Sequence, residues 1–164
     1  MIHIITGNGK GKTSAAAGMA LRMCGRGKSV LFAQFLKGAD SGEVTVLRSI
    51  PNITVMRLSR DYGFFKSMTA EEISAVKGEH NAILKTALEG EYDMLILDEL
   101  IPAMNNGLID TKLLDAVLSL DRETVLTGRE PAPELIERAD YVSEIVKIKH
   151  PFDKGVDARR GVEF

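Results

Sequence analysis

Short apolar runs alternate along this chain with longer stretches whose apolar residues recur at helical spacing. Residues 2–5 form the first run and lead through the glycine-rich stretch TGNGKGKT into an alanine-rich segment. Ala15, Ala16, Ala20, Leu21 and Met23 predict a helix with a small, close-packing face, ending near Gly25 or Gly27. Residues 29–35 predict a second, buried strand, followed by a polar loop over 39–43 and a short helical stretch over 44–49. Residues 53–58, introduced by Pro51, predict a third strand. Thr69-Ala70-Glu71-Glu72 has the form of a capping box, with Ile73, Val76, Ile83, Leu84, Ala87 and Leu88 as the helical stripe behind it and Gly90 as its stop. His80 is expected on the surface of that helix, and His3 in the first strand.

Residues 92–99, YDMLILDE, predict a fourth strand, apolar and closed by two acids. Asp110 caps a further helix with Leu113, Leu114, Val117 and Leu118 on its buried side. Residues 123–126 predict a fifth strand, and residues 133–139 a short helix with Leu135 and Ile136 facing inward. Residues 141–148 predict a sixth strand, near a sheet edge because Val146 and Ile148 alternate with Lys147 and Lys149. The tail from 150 to 164 has no period. Strands alternating with helices define an α/β chain: a three-layer αβα domain, P-loop NTPase-like (RecA-like), with a mostly parallel sheet of about six strands and one domain over 1–164. Ligands of such sheets gather at the strand C-termini. Here those are the glycine loop, residues 34–38, residues 59–68, Asp98-Glu99 and residues 127–129.

Composition narrows the classes. Hydrophobic content of 45% and charged content of 27% are those of a soluble globular protein. A formal charge of −2 gives no broad footprint for nucleic acid. No apolar run approaches a membrane span and no signal-peptide pattern is present. Cys24 is alone, which excludes an internal disulfide and fits a reducing cytoplasm; it reads as core filler. Aromatic residues make up only 5%, yet Tyr62, Phe64 and Phe65 share one aperiodic loop. Such a loop either meets a ligand or plugs one end of the core.

The candidate chemistry begins at TGNGKGKT. Glycines let successive N–H groups converge, the helix N-terminus adds partial positive charge, and a lysine adds a full one. Gly7, Gly9 and Gly11 shape the loop, Lys12 reaches phosphates and Thr13 ligates Mg²⁺; Asn8, Lys10 and Ser14 complete the phosphate-facing set. The usual first glycine of the pattern is Thr6 here. Asp98 and Glu99 close a buried strand as a Walker B pair does and are metal candidates beside Thr13. Gln34, Lys37 and Arg129 stand at the same edge as further nucleotide contacts. The three histidines, His3, His80 and His150, have no metal-spaced arrangement. To this point the residues define a Mg²⁺–ATP site, and leave open ATP hydrolysis or phosphoryl transfer, ATP carriage without turnover, and a nucleic-acid ATPase.

QFLKG after the second strand, DEL after the fourth, LTGREP after the fifth, LIERADYVSEI and the terminal KHPFDKGVDARRGVEF together resemble the P-loop type of ATP:corrinoid adenosyltransferase. The resemblance runs from Ile4 to Phe164 and includes the threonine that opens the glycine loop. It implies that cob(I)alamin or a related corrinoid attacks the 5′ carbon of ATP and expels triphosphate, with the triphosphate lying across the loop in the reverse sense to NTP hydrolases. It implies a corrinoid on the aromatic loop, where Phe64 in Gly63-Phe64 displaces the lower base and eases reduction of Co(II). Well-known members have tryptophan where this chain has Lys66, so Phe65 is the candidate second wedge. Some members carry an N-terminal helix that closes over the corrinoid; here the first strand opens at Ile2, so either that lid is missing or another segment, such as the tail, serves. The resemblance further implies contacts from Arg129, His150, Arg159 and Arg160, a homodimer, and a flavin-type reductase as a partner.

Overall fold

The computed structural model describes residues 1–39 and 41–163; position 40 of the predicted polar loop and the last tail residue lie outside the described residues. One sheet of six strands organises the chain: β1 (Ile2–Thr6), β2 (Val30–Gln34), β3 (Ile53–Met56), β4 (Met94–Asp98), β5 (Glu123–Thr127) and β6 (Tyr141–Glu144). Their order is β3-β2-β4-β5-β1-β6, and every pairing is parallel. Strand β5 therefore separates the strand before the glycine loop from the strand that ends in Asp98.

Both faces of the sheet are covered over its inner strands, which is why β2 and β4 read as nearly unbroken apolar runs, whereas the edge strand β6 is exposed throughout. Side chains alternate between two cores. Leu31, Ala33, Leu95, Leu97, Leu126 and Ile4 face one core, built also from α3 (Ala70–Glu89), α4 (Leu100–Asn105), α5 (Thr111–Leu118) and α6 (Pro133–Arg138). Val30, Phe32, Met94, Ile96, Val125 and Ile5 face the other, which Ala16, Ala17 and Ala20 of α1 (Lys12–Cys24) and Leu47 of α2 (Gly42–Arg48) complete. The alanine face lets α1 lie close against the sheet. Cys24, half-buried, packs at the margin of this core.

Helix α3 begins with the predicted capping box: Thr69 accepts from Glu72 N at 3.2 Å, and Glu72 accepts from Thr69 N at 3.0 Å. Asp110 caps α5 through the N–H groups of Lys112 and Leu113. Four details depart from the sequence reading. His80 is fully buried rather than on the helix surface, because a third core cluster of Leu58, Val76 and Leu108 covers that side of α3. Ile136 is 42% exposed while Leu135 is buried, since successive helical residues point roughly 100° apart and Leu135 takes the inward place. Helix α4 has no foretold counterpart. The sixth strand does sit at the sheet edge but stops at Glu144, and the chain beyond it leaves the sheet.

Candidate active site

The P-loop is laced to the chain that follows β6. Gly9 N donates to Ile145 O at 2.7 Å and Lys147 N donates to Asn8 Oδ1 at 2.8 Å. A Cβ on Gly9 would stand 2.7 Å from Ile145 O and 2.8 Å from Ile145 Cγ2, closer than atoms pack, so only glycine fits there. Gly7 adopts φ 99° under the same neighbour. Gly11, at φ 117°, turns the chain into α1. Lys12 folds back over the loop, donating to Gly7 O at 2.8 Å and Gly9 O at 2.9 Å. Burial pushes the Lys12 ammonium below the ordinary lysine range and the nearby Arg129 charge adds to this, while Glu99 and Asp98 oppose it.

Asp98, at the end of β4, is fully buried and collects donors from four residues. Thr13 Oγ1 donates at 3.0 Å, Thr127 Oγ1 at 2.7 Å, Gln34 Nε2 at 3.1 Å and Lys37 Nζ at 2.9 Å. Lys37 Nζ also reaches Thr13 Oγ1 at 3.2 Å. Glu99 takes a left-handed backbone, φ 58°, and its N–H donates to Thr127 Oγ1 at 2.9 Å. Burial raises the Glu99 carboxyl, and Lys37 pulls it back down. Among the described residues, the non-glycine positions with positive φ, Leu36, Glu99 and Glu130, all lie just past the ends of β2, β4 and β5. Strained backbone of this kind is therefore gathered at the sheet edge where the P-loop also opens.

Above these groups opens a cavity of about 990 Å³. Asn8 to Ser14 form its floor, with Lys37, Glu99 and Arg129 at its sides and Gly42 and Glu43 beyond them. The tail supplies the remaining wall through Lys147, His150, Phe152, Asp153, Gly161, Val162 and Glu163. Lys147 pairs with Asp153 at 2.9 Å, and Lys10 Nζ donates to the Val162 carbonyl. Gly7, Gln34 and Asp98 lie behind the wall rather than on it. Phe64 and Phe65 are not brought to the cavity: Phe64 is 87% exposed, and Phe65 packs at the cluster around Leu58 and Val76. Arg159 pairs with Glu163 at 3.2 Å, and neither Arg159 nor Arg160 lines the cavity.

The sequence reading did not single out Thr127, which ties Asp98 to the Glu99 backbone, nor Glu43, Lys147 and Asp153. The one signal for Thr127 was a hydroxyl at the end of an apolar run, beside Gly128.

Thr13 and Asp98 bring a hydroxyl and a carboxylate together, and Glu99 lines the cavity beside them; these are hard oxygen donors of the kind Mg²⁺ takes. The Lys37 ammonium lies among them, so this donor set already accommodates a cation. Among the described residues no group of three or more His, Cys, Asp or Glu could hold a metal by itself. A hard ion here would complete its shell with phosphate or water oxygens, as Mg²⁺ does.

A parallel sheet with a glycine loop opening α1, and cations converging over its C-terminal edge, defines a protein of P-loop NTPase-like fold. Within that class, the family described as ATP:corrinoid adenosyltransferase BtuR/CobO/CobP matches residues 1–164, and this chain belongs to it. It is 33% identical to a corrinoid adenosyltransferase of Pseudomonas aeruginosa, over all of this chain and 82% of that protein. It is 31% identical to a corrinoid adenosyltransferase of Escherichia coli K12 and 29% identical to the corrinoid adenosyltransferase CobA of Salmonella typhimurium, in each case over all of this chain and 85% of the relative. No helix is long and apolar enough to cross a membrane among the described residues.

Proposed function

We propose that this protein transfers the 5′-deoxyadenosyl group of ATP to a reduced corrinoid, cob(I)alamin or a relative, in cobalamin biosynthesis or salvage. The cobalt(I) lone pair forms the Co–C bond to C5′, the C5′–O bond breaks, and triphosphate leaves with that electron pair. The observation that carries this reading is a cation-lined cavity over the P-loop in a chain that matches the family from end to end.

The corrinoid supplies the electrons, so the protein's task is to hold ATP and to stabilise a departing polyanion. Lys12, the loop N–H groups, Lys10, Lys37 and Arg129 take the phosphates; Asn8 and Ser14 border them. Gln34 acts from behind, its amide fixing Asp98 at 3.1 Å while its own Oε1 stays buried without a hydrogen-bond partner among the described residues. Thr13, Asp98 and Glu99 would hold Mg²⁺, which when bound supplies further neutralisation of the triphosphate. Phe64, with its ring in solvent, presents the apolar surface on which a corrinoid would settle, and Phe65 anchors that loop from below. A homodimer and a flavin-type reductase as electron source complete the proposal.

The test is incubation with Mg²⁺–ATP and chemically reduced cobalamin without oxygen. A light-sensitive adenosylated corrinoid and intact triphosphate are expected. ADP and free phosphate with no alkylated corrinoid would instead mean terminal phosphoryl transfer and overturn the reading.

A further inference from the structure

We propose that His80 is a positioning residue for the nucleotide site, holding the backbone at Leu36 so that Lys37 reaches Asp98 and Thr13. The inference rests on Lys37 being a nucleotide contact, as proposed above. His80 is fully buried in α3, 28 positions in sequence from Leu108 and 44 from Leu36. Its Nδ1 lies 3.2 Å from Leu108 O. A carbonyl can only accept, so Nδ1 carries the proton and Nε2 keeps its lone pair. That lone pair accepts from Leu36 N–H at 3.1 Å.

Leu36 needs this support because its φ is 59°, a left-handed conformation that a leucine avoids. The residues on either side show what the turn achieves. Phe35 N donates to Asp98 O at 2.8 Å, and the Phe35 ring rests against the His80 imidazole with centroids 5.0 Å apart. Lys37 then turns back to Asp98 and Thr13. Without an acceptor at Nε2, the Leu36 N–H would be stranded beside the core, and the turn would relax toward an ordinary conformation. Lys37 would then leave Asp98.

The same stretch of α3 holds the aromatic loop. Glu79 accepts from Ser59 N at 2.6 Å, Ser59 Oγ at 2.8 Å and Tyr62 Oη at 2.7 Å. The two loops also abut directly, since a Cβ on Gly38 would collide with the Arg60 backbone. His80 is thus buried between the segment bearing Lys37 and the scaffold of the loop bearing Phe64.

Two variants separate the two ends of the imidazole. In His80→Gln the side-chain oxygen reaches the place of Nε2 and keeps the Leu36 bond. In His80→Asn the shorter amide reaches only the place of Nδ1. Binding of Mg²⁺–ATP is measured by calorimetry, and KM for ATP against kcat in the transfer assay. Expected are a Kd within about twofold of wild type for His80→Gln and a rise of about tenfold for His80→Asn, the worth of one buried hydrogen bond. In a Lys37→Ala background, His80→Asn adds less than about twofold, because the contact it disturbs is already gone. His80→Met, apolar and of similar reach, replaces Asn in the comparison if Asn does not fold. Equal affinities for the Gln and Asn variants, or an undiminished Asn effect without Lys37, would overturn the proposal. If Lys37→Ala leaves ATP affinity unchanged, both the Lys37 contact and His80's role fall; adenosyl transfer by the wild-type protein is decided separately by the corrinoid assay.

Discussion

Acid should destabilise this protein through His80, by an amount the structure sets. Burial lowers the imidazole to about 4 from its ordinary 6.5, against the opposing pull of the Leu108 carbonyl and the Glu79 charge. Between those two pH values the unfolded chain takes a proton that the folded chain refuses, so protons favour unfolding. The stabilisation is complete above about pH 6.5, falls by ~1.4 kcal/mol per unit below it, and is exhausted near pH 4. The gap of about 2.5 units amounts to ~3 kcal/mol, or ~6–12 °C in Tm for a chain of this length. Glu79 works in the same direction at lower pH: burial pushes its carboxyl up, but hydrogen bonds from Tyr62 and Ser59 outweigh that and hold it below the usual range. The assay is therefore a difference. Urea unfolding of wild type and of His80→Gln is followed at several pH values from about 7 to about 4.5. Wild type should lose ~2.5 kcal/mol more than the variant over that span, because glutamine does not titrate. Parallel curves would refute the reasoning and mean that the folded protein protonates His80 at little cost.

Thr127→Val keeps the volume but removes the hydroxyl that donates to Asp98 and accepts from Glu99 N. A loss of ~1–3 kcal/mol is expected, with transfer falling as Glu99 drifts, while Thr127→Ser retains both; a valine variant that melts with wild type would deny Thr127 its anchoring part. Phe64→Ala should leave stability within ~0.5 kcal/mol, since the ring is 87% exposed. Transfer starting from Co(II)alamin should fall while transfer to pre-reduced corrinoid is spared, and equal loss on both routes would reject the wedge.

Apart from α4, the helices and strands were legible because each rests on short-range pattern. Apolar runs of strand length, the box at Thr69 and Glu72, and the cap at Asp110 all act within a few residues. The P-loop was legible for the same reason, since Gly7 to Thr13 form one contiguous device. His80 stands on the buried stripe itself, four residues from both Val76 and Leu84, and it is the polarity of imidazole that argues for the surface; its partners, Leu36 N and Leu108 O, come from loops distant in sequence and only the fold reveals them. Thr127 and Lys147 escaped notice because their partners, Asp98 and Asn8, are distant in sequence.

By itself, then, the sequence determined the α/β alternation, the phosphate loop, the acids ending β4 and, through its motifs, the family. Only the tertiary structure decided that β5 lies between the P-loop strand and the Asp98 strand, that the tail walls the cavity, and that the Phe64 loop stands outside it. The physical reason is range: turn and helix preferences are settled among neighbours along the chain, but a buried carboxylate or imidazole takes whatever partners the packed sheet delivers from far away.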